Sequence, residues 1–275
     1  MTSVTFPRGR QEGLVTVTEP ASGVWLLEMH NLPDNRLEPE FIRQAFLPAL
    51  DYVELSWHKA AKAGTNKGGS LVITGERKVG KFFSNGLNLE CLPAYPTFFG
   101  DYYYKLCSRI MTFPLTTVAA IAGHCYAGGL CLALCCDWRV CRPDRTWLCM
   151  NELHFGASLS DGMTALLQTR LTEPVVRKTL LTAHRYVATE ALASGIVDEI
   201  VPEAGSEATI SYAVNKAAGM APLAASGVLR AMKQTLYAPT LAMLSRNESP
   251  TAGLPQKANA EAFKALLAAE VAAKL

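Results

Sequence analysis

The sequence carries no block of like charge. Its 26 basic and 24 acidic side chains leave a formal net charge of +2, so it lacks the electrostatic footprint of a nucleic-acid binder. No apolar stretch is long enough to span a bilayer, because the best candidate, Leu115 to Cys136, is broken by Gly123, His124, Gly128 and Gly129. The opening residues MTSVTFPRGRQEG have no apolar centre of the kind a secretory leader needs. These absences predict a soluble, non-secreted protein with no nucleic-acid partner and no membrane span. Neither a Rossmann fingerprint nor a Walker A sequence is present, so nothing points to nicotinamide chemistry or nucleotide hydrolysis. The eight cysteines include no CxxC pair, and all fall between Cys91 and Cys149, several in apolar runs such as LCLALCC. They read as small buried hydrophobes in a reducing compartment, with no disulfides and no metal site.

What is present is apolar. With 49% hydrophobic residues in 275 positions, the chain can bury a sizeable core. Leu14 to Thr18 and Val24 to Met29 alternate around a turn at Pro20 to Gly23 and predict a strand pair. Leu37, Phe41, Ala45, Ala49 and Val53 follow helical spacing, with Pro48 expected to bend or interrupt the helix. Leu71 to Thr74 and Thr116 to Ala122 read as buried strands, Gly123 to Gly129 as a loop of small residues, and Leu130 to Cys136 as the start of a helix with no polar face. Trp147 to Met150 reads as a further strand. Helices are predicted over Asp161 to Leu171, Pro174 to Thr182 and Thr189 to Ser194, with three more after Ser206. Strands alternating with helices, then helices alone, predict an α/β core with a C-terminal helical part.

The informative feature is a pair of glycine turns, each behind a buried strand. Gly86 allows a sharp turn that leaves the N–H of Leu87 free. Ala127-Gly128-Gly129 opens a helix whose unpaired N–H groups and positive dipole end face the same way. Glycines between strand and helix also serve close packing, and either turn alone is compatible with that. Two free N–H groups aimed at one point make an oxyanion hole, where each donor is worth about 3 to 4 kcal/mol of transition-state stabilisation.

The strings FFSNGLNL and AAIAGHCYAGGLCLALCCDWRVC resemble the two acyl-CoA-binding signatures of the crotonase, or enoyl-CoA hydratase/isomerase, superfamily. The resemblance continues through TWLCMNELHFG and TEALASGIVDEIV, over roughly residues 14 to 205. It implies a crotonase-like spiral of repeated ββα units, with residues 1–202 as the acyl-CoA-binding core and 203–275 as a helical oligomerisation region. It implies oxyanion-hole donors at Leu87 and Gly128, and substrate contacts at Asn85, Gly86, Leu87, Asn88, Leu89 and Gly128. Asn88 stands where the family often carries Asp.

The acid/base residues separate the activities. Hydratases of this superfamily use two glutamates, one just after the glycine pair and one at the position of Glu152; here the first position is Cys131. Adding water takes both groups, whereas moving a double bond takes one base. Met150 to Gly156 resembles the isomerase version of the site, with Glu152 as the base that carries a proton from C2 to C4 of a 3-enoyl-CoA. Asp161, opening the next helix, is the second candidate and also a natural helix cap. His124 and His154 read as structural. Lys78 and Lys81 read as solvated, although CoA phosphates would suit them. The aromatic segment Tyr95 to Tyr104 either lines an acyl tunnel or packs in the core.

The expected function is therefore a Δ3,Δ2-enoyl-CoA isomerase of fatty-acid β-oxidation. It would use no metal and no cofactor beyond the coenzyme A of its own substrate, and would assemble as a homotrimer or hexamer. The alternatives are another acyl-CoA reaction on this scaffold, such as hydration, thioester hydrolysis or a specialised-metabolite step, or a non-catalytic acyl-CoA-binding subunit. The terminal Ala-Lys-Leu resembles an address read by the peroxisomal import receptor, which makes the peroxisome the expected compartment.

Overall fold

The computed structural model describes residues 3–9, 13–64, 68–78 and 80–248. The terminal Ala-Lys-Leu and the amphipathic stripe Ala262, Leu266, Ala269 and Ala273 lie outside the described residues. The chain opens with strands β1 (Ser3–Phe6), β2 (Val15–Ala21) and β3 (Val24–Met29), which pair antiparallel in sequence order. The expected strand pair is present, but β2 runs through Pro20. The ladder shifts register between Thr18 and Ala21, and the Pro sits in that irregularity, where no amide donor is required.

A π-helical turn, Phe41–Phe46, runs directly into α1 (Leu47–Lys62). Pro48 occupies the first turn of α1 and makes no break. Its missing N–H falls just where the backbone changes from the π turn to the α-helix. The one-residue surplus of the π turn keeps Phe41, Ala45, Ala49 and Val53 on the buried side.

Three β-β-α units follow. The first is β4 (Ser70–Thr74), β5 (Phe82–Ser84) and α2 (Tyr104–Met111); the second is β6 (Thr116–Ile121), β7 (His124–Tyr126) and α3 (Gly128–Cys135). The third is β8 (Trp138–Cys141), β9 (Leu148–Cys149) and α4 (Asp161–Arg170). Each unit sends its first strand to one sheet and its second to another. The large sheet has the order β1-β2-β3-β4-β6-β8 and is parallel from β3 onward; β5, β7 and β9 form a small parallel sheet. This is the expected spiral of ββα units. The stretch Gly123 to Gly129 is not a plain loop, because β7 crosses it. A three-residue strand shows no period, and it is held by the ladders on both sides.

Helix α3 is buried along its whole length between the sheets and α2 and α4, which accounts for its lack of polar residues. Each fully buried Leu there contributes about 1.5–3 kcal/mol. All eight cysteines are free, and all but Cys91 are buried, as the composition predicts.

After α4 come α5 (Glu173–Thr182), α6 (Ala188–Ala193), β10 (Glu199–Ile200) at the edge beside β8, and then α7 (Ser206–Met220), α8 (Leu229–Leu236) and α9 (Ala238–Leu244). Helix α7 lies across the outer face of the large sheet, where Ala213 and Ala217 let it approach Val72, Val118 and Ala120. Helix α8 is tied down by Lys233, whose buried ammonium donates to Phe113 O at 3.0 Å, to Leu115 O at 2.8 Å and to Asp137. No helix among the described residues is long and apolar enough to cross a membrane.

Candidate active site

The first glycine turn is splinted along its length by the segment after β3. Asn85 N–H donates to Asp34 O at 2.9 Å, Leu37 N–H to Gly86 O at 2.8 Å, and Asn88 N–H to Leu37 O at 3.1 Å. Side chains add to this. Arg36 Nη1 donates to Leu87 O at 3.0 Å, and Asp34 accepts from both Arg36 Nε at 3.0 Å and Asn85 Nδ2 at 2.7 Å. A trans peptide sends its C=O and N–H in opposite directions. With Gly86 O fixed on Leu37, the Leu87 N–H must point away from the splint, and it donates to no acceptor among the described residues.

The second turn works the same way. Ala127 O accepts from Leu130 N–H at 2.9 Å and Cys131 N–H at 3.2 Å, so the Gly128 N–H is directed back out of α3. Ala127 is held at φ 50° and ψ −125°, a conformation that costs an L residue of order 1–3 kcal/mol, by its N–H bond to Cys149 O at 2.8 Å. Tyr103 OH donates to Gly128 O at 2.7 Å. The two turns touch: a Cβ on Gly86, which has φ +85°, would lie 3.0 Å from Gly128 N and 2.9 Å from Ala127 Cβ. A Cβ on Gly129 would lie 2.5 Å from Ser84 O. The glycines therefore serve close packing, and that packing brings the two turns into contact.

Both turns open onto a cleft of about 730 Å³. Of the residues singled out in the sequence, Asn85, Leu87, Leu89, Gly128, Glu152 and Asp161 line it. Gly86 and Asn88 stand behind the wall. Gly86 provides the turn, and Asn88 Nδ2 donates to Glu38 Oε2 at 2.9 Å. From the aromatic segment, Phe98, Tyr103 and Tyr104 are core, and Phe99, also buried, lines the cleft, so the segment divides between the two alternatives of packing and lining.

Glu152 opens a single 3₁₀ turn, Glu152–His154, after β9. Its Oε2 is buried without a hydrogen-bond partner among the described residues, as is Oδ1 of the adjacent Asn151. Burial pushes the carboxyl up to about 7, against a smaller opposing effect of its own main-chain N–H. Asp161 is exposed, at the first position of α4, and no basic group is paired with it among the described residues. Ser160 is the N-cap, accepting from Met163 N–H at 3.4 Å. Cys131 is fully buried in α3, does not line the cleft, and has its thiol held well above its ordinary range by burial.

His124 is structural, as expected, whereas His154 is exposed. His124 stacks between Trp147 and Tyr126 and its Nδ1 accepts from Trp147 N–H at 3.2 Å; neither it nor His154 lines the cleft. Lys78 and Lys81 are exposed and outside the lining. Glu28, His30 and Glu76 have metal-ligand spacing, but His30 is bonded to Glu76 and Thr16, and Glu28 to Arg77. Several lining residues lie outside the quoted motifs, Arg36 and Glu248 among them. Arg36 and Glu248 come from segments distant in sequence with no signature of their own.

Residues 22–265 match the family model described as enoyl-CoA hydratase/isomerase. The chain is 30% identical over 215 residues to enoyl-CoA delta isomerase 3 of Arabidopsis thaliana, covering 73% of this chain and 84% of that protein. It is 30% identical over 190 residues to the peroxisomal enoyl-CoA delta isomerase 2 of the same plant, covering 66% and 74%. Among solved structures it resembles an enoyl-CoA hydratase from Mycobacterium marinum, with a TM-score of 0.67, 26% identity, and coverage of 84% of this chain and 95% of the other. With the spiral of ββα units and the two facing turns, these matches show that the chain belongs to the enoyl-CoA hydratase/isomerase family.

Proposed function

We propose that this protein is an enoyl-CoA isomerase that moves the double bond of a 3-enoyl-CoA to the 2-trans position. The Glu152 carboxylate takes a proton from C2. The C–H electron pair enters the C1–C2 bond, and negative charge develops on the thioester oxygen between the N–H groups of Leu87 and Gly128. The C3–C4 π pair then takes the proton back at C4 while the C1–C2 pair moves into C2–C3 and an oxygen lone pair restores the carbonyl, leaving the double bond between C2 and C3. Atoms and electrons balance with one base, so the reaction calls for no redox cofactor, and coenzyme A enters and leaves as part of the substrate.

The observation that carries this reading is the contrast between Glu152 and Cys131. Glu152 lines the cleft and has its Oε2 buried with no hydrogen-bond partner among the described residues, while the place of a hydratase's other glutamate is a thiol sealed in the core. A carboxyl near pH 7 suits a shuttle that must both take and return a proton. The Arabidopsis relatives are named isomerases, which supports the same choice over hydration. Conversion of a 3-enoyl-CoA to the conjugated 2-enoyl-CoA by purified protein tests the reading; water addition to a 2-enoyl-CoA with no double-bond migration would overturn it.

The finer attributes belong to the same proposal. Two relatives are named peroxisomal and one, from Homo sapiens, mitochondrial; we assign the peroxisome, tested by whether a fluorescent fusion coincides with a peroxisomal or a mitochondrial marker. We assign a homotrimeric or hexameric assembly, tested by sedimentation.

A further inference from the structure

Glu248 lines the cleft but has no part in the chemistry above. It lies beyond α9, and its carboxylate accepts three hydrogen bonds. Asp161 N–H donates to Oε2 at 2.8 Å, Gly162 N–H to Oε1 at 3.0 Å, and Tyr104 OH to Oε1 at 2.8 Å. Two of these donors are the first N–H groups of α4, which have no acceptor within the helix, and the helix dipole favours a negative charge there. The segment is seated closely: a Cβ on Gly100 would fall 2.0 Å from Asn247 Oδ1.

Its neighbours fix which end of the cleft Glu248 closes. The Tyr104 ring that donates to it stacks on Phe99, with centroids 5.1 Å apart and planes at 28°. Leu159 and Met163, which flank the Asp161 and Gly162 that Glu248 caps, line the cleft together with Phe99 and make an apolar part beside Glu248, whereas Arg36 and Asn85 flank the first turn. An acyl chain held at the two N–H groups would run along the apolar part and meet Glu248 at its end.

We propose that Glu248 is the end wall of the acyl site and sets the length of chain the cleft accepts, an inference that rests on acyl-CoA being the ligand. A chain stopping short of the carboxylate leaves its three hydrogen bonds intact. A longer chain must push it off its donors, stranding two N–H groups and a phenol against hydrocarbon, where unpaired polar groups are costly.

The test is calorimetric binding of a short-chain and a long-chain saturated acyl-CoA to the full-length protein and to Glu248→Ala and Glu248→Asp. The wild type is expected to favour the short chain. Glu248→Ala should raise the long-to-short affinity ratio by about tenfold or more, the scale on which a pocket discriminates between chain lengths. Glu248→Asp keeps the charge and withdraws the wall by one methylene, so the ratio should move the same way by less, which guards against an alanine variant that fails to fold. An unchanged ratio in either folded variant overturns the proposal. Wild-type protein that binds acyl-CoA but moves no double bond sinks the isomerase reading and leaves the wall standing; wild-type protein that binds neither acyl-CoA sinks both.

Discussion

Tyr103 donates its phenolic hydrogen to the carbonyl of Gly128 at 2.7 Å, from a position fully buried beneath the second turn. The residue that offers one free N–H to the cleft thus has its own carbonyl tied to the core. Leu87, which offers the other, has its carbonyl tied by Arg36. Both peptide groups are thereby held in direction, which is what the proposed oxyanion hole needs if it is not to spend energy reorienting dipoles during reaction.

Tyr103→Phe keeps the ring against Phe98 and Tyr104 and removes only the hydroxyl. Loss of one buried hydrogen bond is expected to lower stability by about 1 kcal/mol. Because a donor is loosened, kcat for isomerisation should fall by roughly ten- to a hundredfold. Denaturant titration and steady-state kinetics check the two effects separately; a stability loss with full kcat would mean that the bond is structural only.

Arg36→Met frees the Leu87 carbonyl and leaves Asp34 with Asn85 alone. The Arg36 side chain is 39% exposed, so the stability change should stay within about 1 kcal/mol. The expected signature is a lower kcat with little change in melting temperature, and Arg36→Lys should restore only part of it, since an ammonium cannot span two acceptors as a guanidinium fork does.

Gly86→Ala places a methyl group against Gly128 N and forces a left-handed φ on an L residue. A stability loss of about 1–3 kcal/mol is expected, and kcat should fall by about 10²–10³-fold because the two N–H groups no longer converge. Circular dichroism with turnover measured on the folded fraction checks this.

Glu152 gives the pH dependence its sign. Its carboxyl is raised from 4.5 to about 7 by burial, so the folded protein binds more protons than the unfolded chain between those values. Stability from this group is full below the unfolded value and falls as pH rises toward the folded one, by about 3 kcal/mol at most. Glu152→Gln has no such slope, so its stability relative to wild type should improve from pH 4.5 to 7, as measured by melts across that range. Activity should run the other way, rising with pH as the carboxylate forms.

The long buried strands β4 and β6 and helix α3 were legible because an unbroken apolar run needs no partner to be recognised. Strand β9 falls within the expected Trp147 to Met150, but β5 and β7 span three residues each, too few to show a period, and are held by the ladders between successive units. The glycine turns and Glu152 were legible through their motifs. Arg36 and Glu248 were not: one acts across 51 residues on a main-chain carbonyl and the other across 87 on a main-chain N–H. Contacts to backbone leave no trace in the identity of the partner residue.

The most direct test is the rate at which Glu152→Gln converts a 3-enoyl-CoA to the conjugated 2-enoyl-CoA, measured beside wild type and Asp161→Asn. The predicted result is that Glu152→Gln loses about 10²–10⁴-fold in kcat while Asp161→Asn stays close to wild type. A Glu152→Gln enzyme at the wild-type rate, with the loss falling on Asp161→Asn, would contradict the assignment of the base.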